Sequence, residues 1–292
     1  MRGYDVIFFD WDGTAVVSRN APADDAAAAM SPLLEAGVRL AVISGASREK
    51  ISADSLAKRF SPQARSRLYM GLGRGADNYC FDKSGKETGL GGVLPGRRDM
   101  AALHRTCYQI HEFLYLTHSL NSDIVFCRDN YCKIDLLPDV ERGEKLYMRE
   151  AEVRELHRRL LGHGFTCGIR GLTELVSVFA KENKITLCAT TDAKYLEVGF
   201  GTKADSVDTV FTHLEGEYGI KASDCCFWGD EYLEIGGGIF GSDAQMITQK
   251  TKEGSFFDVS DAAGVRPAQV RHLGGGPKRF LSFLKEQRRL LQ

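Results

Sequence analysis

Asp10 and Asp12 stand one residue apart in Phe8-Phe9-Asp10-Trp11-Asp12-Gly13-Thr14, directly after the apolar run Val6–Phe9. A carboxylate can attack as a nucleophile or carry a proton, and open α/β sheets place their ligands just beyond the carboxyl ends of buried strands. Extended backbone would aim the two side chains apart, whereas a turn at Gly13-Thr14 brings both towards one cavity. The same residues also spell an ordinary Asp-Gly turn with an incidental second acid, and the pair alone does not separate the two readings.

Elements able to position such a pair recur along the chain. Apolar runs ending in polar, glycine-bearing corners lie at Val6–Phe9, Leu40–Ile43, Leu68–Gly71 and Cys225–Trp228, each of a length expected for a buried parallel strand. Ser31-Pro32 reads as the start of a helix to Ala36, with Gly37 as its stop. Val207, Val210, Phe211 and Leu214 recur at helical spacing between Asp205 and Tyr218. This alternation predicts an α/β class protein with a parallel sheet covered by helices. The middle differs: a long helix from Met100 to about His118, hairpin-like stretches at Ile124–Leu137 and Leu175–Val198, and a charged helix from Glu150 to Leu161 give an α+β order. We therefore expect a discontinuous core, 1–85 and 201–292, interrupted by a second domain at 86–200.

Four segments in order resemble the motifs of the haloacid dehalogenase superfamily: Asp10-Trp11-Asp12-Gly13-Thr14, Leu40-Ala41-Val42-Ile43-Ser44-Gly45, Gly201-Thr202-Lys203, and Phe227-Trp228-Gly229-Asp230. The resemblance implies a Rossmann-like parallel-sheet core, an inserted α/β cap, and phosphoryl transfer with Mg2+. It would make Asp10 the nucleophile that forms an aspartyl-phosphate and Asp12 the acid that protonates the leaving alkoxide and then activates water. Ser44 and Lys203 would hold the phosphoryl oxygens, with Thr14 and Gly45 beside the substrate. Asp10, the backbone carbonyl of Asp12, and Asp230 would suit the oxygen shell of Mg2+. An acid at position 12 favours phosphoester chemistry, since superfamily dehalogenases lack it.

The fourth motif departs from the usual pattern, because Asp230 is followed by Glu231 and Glu234 rather than closely by Asn-Asp. Glu234 has the compact spacing, but Gly241-Ser242-Asp243-Ala244-Gln245-Met246 better resembles the expected ending after an inserted loop, which favours Asp243 as the further metal acid. Glu231 then reads as a solvated loop charge. Ser44 lies at the strand end, and Ser47 reads as a helix cap.

The cap's position between the second and third motifs resembles the subgroup of Cof-type sugar phosphatases, sucrose and trehalose phosphatases, and phosphomannomutase. Ser47–Ile51 and the Asp230–Asp243 insertion resemble phosphomannomutase in particular, whose cap uses arginines to grip the distal part of a phosphosugar, and Arg128, Arg142 and Arg170 fall in roughly comparable stretches. The expected function is a phosphatase acting on a small phosphorylated metabolite, a sugar phosphate foremost. The alternatives are a phosphosugar mutase and a catalytically silent binding protein on the same fold.

Composition limits the partners. The 38 Lys and Arg against 39 Asp and Glu leave no global basic field for nucleic acid or anionic membrane. The balance also holds within each part: residues 86–200 carry 16 of each sign, and the rest carry 22 against 23. No apolar run reaches the ~18 residues of a membrane span. Eight scattered cysteines without a secretory leader read as cytoplasmic thiols. Among them, Cys127 and Cys132 lack a second pair at zinc-binding spacing and read as strand residues.

Overall fold

The computed structural model describes residues 2–18, 20–51, 55–126, 128–142 and 150–291, and Cys127 lies outside them. The chain begins with β1 (Val6–Phe9), α1 (Asp24–Ala36), β2 (Arg39–Ile43), α2 (Pro62–Arg65), β3 (Leu68–Leu72), β4 (Asp77–Phe81) and β5 (Glu87–Gly91). The middle holds α3 (Arg97–His118), β6 (Asp123–Val125), β7 (Tyr131–Asp135), α4 (Glu150–Gly162), α5 (Gly168–Glu182), β8 (Cys188–Thr191) and β9 (Tyr195–Gly199). There follow α6 (Lys203–Tyr218), β10 (Cys225–Gly229), β11 (Glu234–Gly236), β12 (Ile239–Phe240), β13 (Ser255–Asp258), β14 (Val270–His272) and α7 (Gly276–Leu290).

The large sheet has the order β14-β13-β10-β1-β2-β3-β4-β5, parallel from β14 to β3 and antiparallel through β4 and β5. Strands such as Val-Ile-Phe-Phe have no polar side because both faces are covered. Ile7, Phe9, Leu40, Val42 and Trp228 pack with α1 and α7 through Met30, Leu33, Phe280 and Phe283. The alternate residues Val6, Phe8, Ala41, Ile43 and Phe227 pack with α6 through Val207, Val210, Phe211 and Leu214. Phe8, Phe227 and Phe256 stack across three strands at 4.7 Å between successive centroids. The expected strands and α6 are thus present, and the sheet extends through β5, past the boundary expected at residue 85.

Two local expectations differ from the structure. Helix α1 starts at Asp24 rather than Ser31, with Pro32 inside it. Its buried stripe, Ala26, Ala27, Met30, Leu33 and Leu34, already runs at helical spacing, and Ala28, whose carbonyl loses its donor to the proline, is exposed. Residues 175–182 are the end of α5, not a strand: Ile169, Leu172, Val176 and Ala180 form a buried helical stripe that outweighs the β-branched content. The second hairpin is confined to β8 and β9.

The small sheet is antiparallel, in the order β6-β7-β9-β8. Cys132 and Ile134 of β7 and Leu196 and Val198 of β9 join Leu103, Cys107, Ile110 and Leu114 of α3 in a second core. Their alternates Tyr131, Lys133, Asp135, Tyr195 and Glu197 line a cavity shared with the end of β1. Leu233 and Ile235, from the hairpin β11–β12, also belong to this second core, although the hairpin leaves the large sheet at β10.

Candidate active site

The carboxyl ends of β1, β2 and β10 and the start of α6 meet beneath the small sheet. Asp10, Asp12, Ser44, Gly45 and Lys203 line one cavity of about 590 Å³ between them. Asp10 follows β1, and its amide donates to the carbonyl of Trp228, so the strand pairing fixes the start of the loop. At Gly13 the backbone has φ +80°, and a Cβ there would collide with the carboxylate of Asp230. The glycine therefore allows this loop to close on the end of β10. Gly229 has the same role towards Asp243.

Lys203 opens α6 behind a capping box of Thr202 and Asp205. Its Nζ lies 3.1 Å from Oδ1 of Asp10 and 2.7 Å from Oδ1 of Asp243. Oδ2 of Asp243 accepts from the amides of Asp230 and Glu231, which folds the inserted segment back onto the strand end. Asp10, Asp230 and Asp243 are buried and offer ligand oxygens within 4.8 Å of one another, the one such group among the described residues. Glu234 lies apart from them and accepts from the amide of Gly238.

The electrostatics of this cluster follow from burial and like charge. Burial raises the pKa of Asp10 well above the ordinary range, Asp243, Asp12 and Glu231 raise it further, and Lys203 opposes them. Asp230 is raised by burial and by Asp243, Glu231 and Asp10. Burial alone would lower Lys203, but Asp10 and Asp243 outweigh it and hold the ammonium charged. A hard divalent cation fits this set of buried carboxylate oxygens, because it would offset a charge that one lysine leaves uncompensated.

No protein-family model and no curated protein matches the sequence. Solved structures do match. The chain superposes over 99% of its length on 69% of the IMP-bound, N-terminally truncated IMP-nucleotidase of Plasmodium falciparum, with a TM-score of 0.59 at 16% identity. It superposes over 98% of its length on 98% of the sucrose-phosphatase of Synechocystis in complex with sucrose and phosphate, with a TM-score of 0.53 at 14% identity. The chain has the capped haloacid dehalogenase fold.

Within that fold the cap is the small sheet with α3, α4 and α5. Ser44 directly follows β2, and its Oγ accepts from the amide of Ala46, leaving the hydroxyl hydrogen to donate into the cavity. Arg128 lines the cavity beside the hydroxyl of Tyr131. Arg142 also lines it, but is committed to Glu152 at 2.7 Å and Asp192 at 2.6 Å. Two residues expected at the substrate lie elsewhere. Thr14 is fully buried and donates to Oδ1 of Asp230, supporting that carboxylate instead. Arg170 points from α5 to the carbonyl of Gly237, fastening the β11–β12 hairpin to the cap.

Other cavity residues escaped the sequence reading. Glu231 is not a solvated loop charge: it lines the same cavity as Asp10 and accepts from Ser242 at 2.6 Å. Arg74, in the turn between β3 and β4, crosses to the cap, where it pairs with Glu197 and donates to Thr190. Its own carbonyl accepts from Asn130. The strict polar alternation of Tyr131, Lys133 and Asp135 was a signal that could have revealed the cap's contribution.

Proposed function

We propose that this protein is a Mg2+-dependent phosphatase that hydrolyses a small phosphorylated metabolite, a sugar phosphate foremost, through an aspartyl-phosphate on Asp10. The observation that carries this reading is the buried carboxylate of Asp10, 3.1 Å from Lys203 and within the Asp230–Asp243 cluster, with Asp12 on the same cavity wall. An Oδ of Asp10 attacks phosphorus, the ester P–O bond breaks, and the leaving oxygen takes a proton from Asp12. Asp12 then accepts a proton from water as the water oxygen attacks the phosphoryl group and displaces Asp10. Lys203 and the Ser44 hydroxyl hold the equatorial oxygens as charge spreads over them. Asp10, Asp230, Asp243 and the Asp12 carbonyl would hold Mg2+, with Asp243 also fixing Lys203 and the loop; when bound, the metal supplies charge neutralisation for an anionic ester approaching a carboxylate.

The cavity's volume of about 590 Å³ and its hydroxyl-compatible lining support a small substrate rather than a polymer. No helix among the described residues is long and apolar enough to cross a membrane. We place the protein in the cytoplasm, consistent with seven free cysteines among those residues. The test is turnover of a phosphomonoester panel with Mg2+ by the wild type and by Asp10→Asn. Release of inorganic phosphate by the first and not the second is expected, whereas a wild type inactive on the whole panel overturns the reading. Isomerisation that requires a bisphosphate activator, without phosphate release, would identify a mutase instead.

A further inference from the structure

The cap end of the cavity is rich in charge, yet every cation whose ion pair is resolved there already faces a carboxylate. Glu197 alone holds two of them: Arg74 from the core and Lys133 at 2.7 Å from β7. Lys194 lies 2.8 Å from Asp135, and Arg142 is divided between Asp192 and Glu152. Arg128, beside Tyr131, and Glu141 also belong to the charged lining. Among the described residues these five cations and five carboxylates cancel. Most are nearly inaccessible: the side chains of Arg74, Glu197, Arg142 and Lys194 are each 6% exposed or less.

We propose that Glu197 is a specificity-determining residue that engages both Arg74 and Lys133 and so keeps the cap wall as a whole without net positive charge, and that the cap therefore admits an uncharged hydroxyl-bearing group and rejects a second phosphate or carboxylate. The inference rests on the phosphatase reading and goes beyond it by defining what the ester may carry at its far end. A second anion entering this wall meets no net positive charge. To gain a cation it must take Arg74 or Lys133 from Glu197, leaving a buried carboxylate unpaired. A hydroxyl has the opposite fit, because it both accepts and donates and brings no charge that would have to take a cation from its carboxylate. A run of neighbouring hydroxyls can therefore bridge the pairs without separating them.

The experiment compares kcat/KM within matched pairs: a hexose 6-phosphate against the hexose 1,6-bisphosphate and against the 6-phospho-aldonate, and a nucleoside 5′-monophosphate against its 3′,5′-bisphosphate. The inference expects each doubly anionic member to be at least about tenfold poorer than its partner. In Glu197→Gln, which gives the wall a net positive charge, that ratio should shrink at least about threefold. Asp135→Asn tests the same logic at Lys194 and serves if Glu197→Gln does not fold. The ratio within one variant is independent of how much of the preparation is active. A wild type equally fast or faster on the bisphosphates, or a ratio unmoved in both variants, overturns the inference while leaving the phosphatase reading standing. No hydrolysis of any monoester overturns both.

Discussion

Replacing the nucleophile, Asp10→Asn, should make the metal-free protein more stable while it removes activity. Ligand oxygens of Asp10, Asp230 and Asp243 lie within 4.8 Å of one another. At an effective dielectric constant of about 20, each like-charge pair at that separation costs about 3.5 kcal/mol, so Asp10 meets roughly 7 kcal/mol of repulsion. The Lys203 ammonium at 3.1 Å returns about 5.4 kcal/mol. The balance is roughly 1–2 kcal/mol against the charge on Asp10, and desolvation has the same sign. Lys203 keeps Asp243 as a partner at 2.7 Å, so the substitution does not strand it. The pKa of Asp10 is raised on folding, so its stabilising contribution is present below the ordinary value of 3.8 and is lost as pH rises through the folded value. The advantage of the asparagine should therefore be absent near pH 4 and appear towards pH 8, as a Tm higher by roughly 3–6 °C in calorimetry with EDTA. Saturating Mg2+ should narrow or reverse the difference: at a hundredfold excess over Kd it adds about 2.7 kcal/mol to the wild type and less to a variant lacking one ligand. Turnover should fall by at least about 10³-fold. A lower Tm for Asp10→Asn in EDTA at pH 8, or an equal gain from Mg2+ in both proteins, refutes the electrostatic account of the cluster.

Lys203→Met leaves Asp10 and Asp243 facing each other without their shared ammonium, and breaking a buried pair in this way costs about 3–5 kcal/mol. Thermal unfolding should show a Tm lower by on the order of 10 °C at pH 7, with a smaller deficit in acid, where the carboxyls protonate. Burial opposes the charge on Asp192, but Arg142 and Lys133 outweigh it and hold its pKa below 3.8. Its contribution is present above that value and lost as pH falls below it, so Asp192→Asn should be less stable at pH 7 and flatter below pH 4 in acid-denaturation curves. Ile235→Ala empties a position 1% exposed within the cap core and should cost about 2–5 kcal/mol. Hydrogen exchange should then rise in α5 as well as in residues 230–243, and a change confined to the hairpin would show that the two do not share a core.

Much of the core was legible because its strands carry their evidence locally. Val6–Phe9 and Cys225–Gly229 are apolar on both faces, and such runs have few homes other than the middle of a covered parallel sheet. Asp10, Ser44, Lys203 and Asp230 were picked out through the resemblance of four short segments, each of which sits at a fixed offset from the strand or helix that presents it. The cap side chains were harder because an arginine's destination depends on partners far away in sequence. Arg142 and Arg170 read alike as cations that grip the substrate, yet one is drawn into a buried triad by Asp192, 50 residues on, and the other caps a carbonyl 67 residues away. Arg74 lay in a glycine-flanked turn with no periodicity to mark it, and only its pairing with Glu197, 123 positions later, makes it part of the site. Thr14 was misplaced by a smaller margin: its position in the loop was right, but the nearest acceptor is Asp230.

The long segment between Asp230 and Asp243 changes what motion of the cap would entail. Its hairpin places Leu233 and Ile235 in the cap core, while its two ends are tied at the carboxylate cluster by the bonds from Asp243 to the amides of Asp230 and Glu231. Fully burying two such side chains is worth about 1.5–3 kcal/mol each. A swing of the cap that left the hairpin behind would forfeit roughly 3–6 kcal/mol, which holds such a state to about 10⁻² to 10⁻⁴ of the population before any polar contact is counted. Arg74 to Glu197, Asn130 to the carbonyl of Arg74, and Tyr131 to the carbonyl of Gly45 add to that cost. A swing that carried the hairpin along would instead pull on the backbone that holds Asp243 against Lys203. Either way the cap and the carboxylate cluster are not independent bodies: the geometry that assembles the acids around Asp10 is the geometry in which the cap is closed over them.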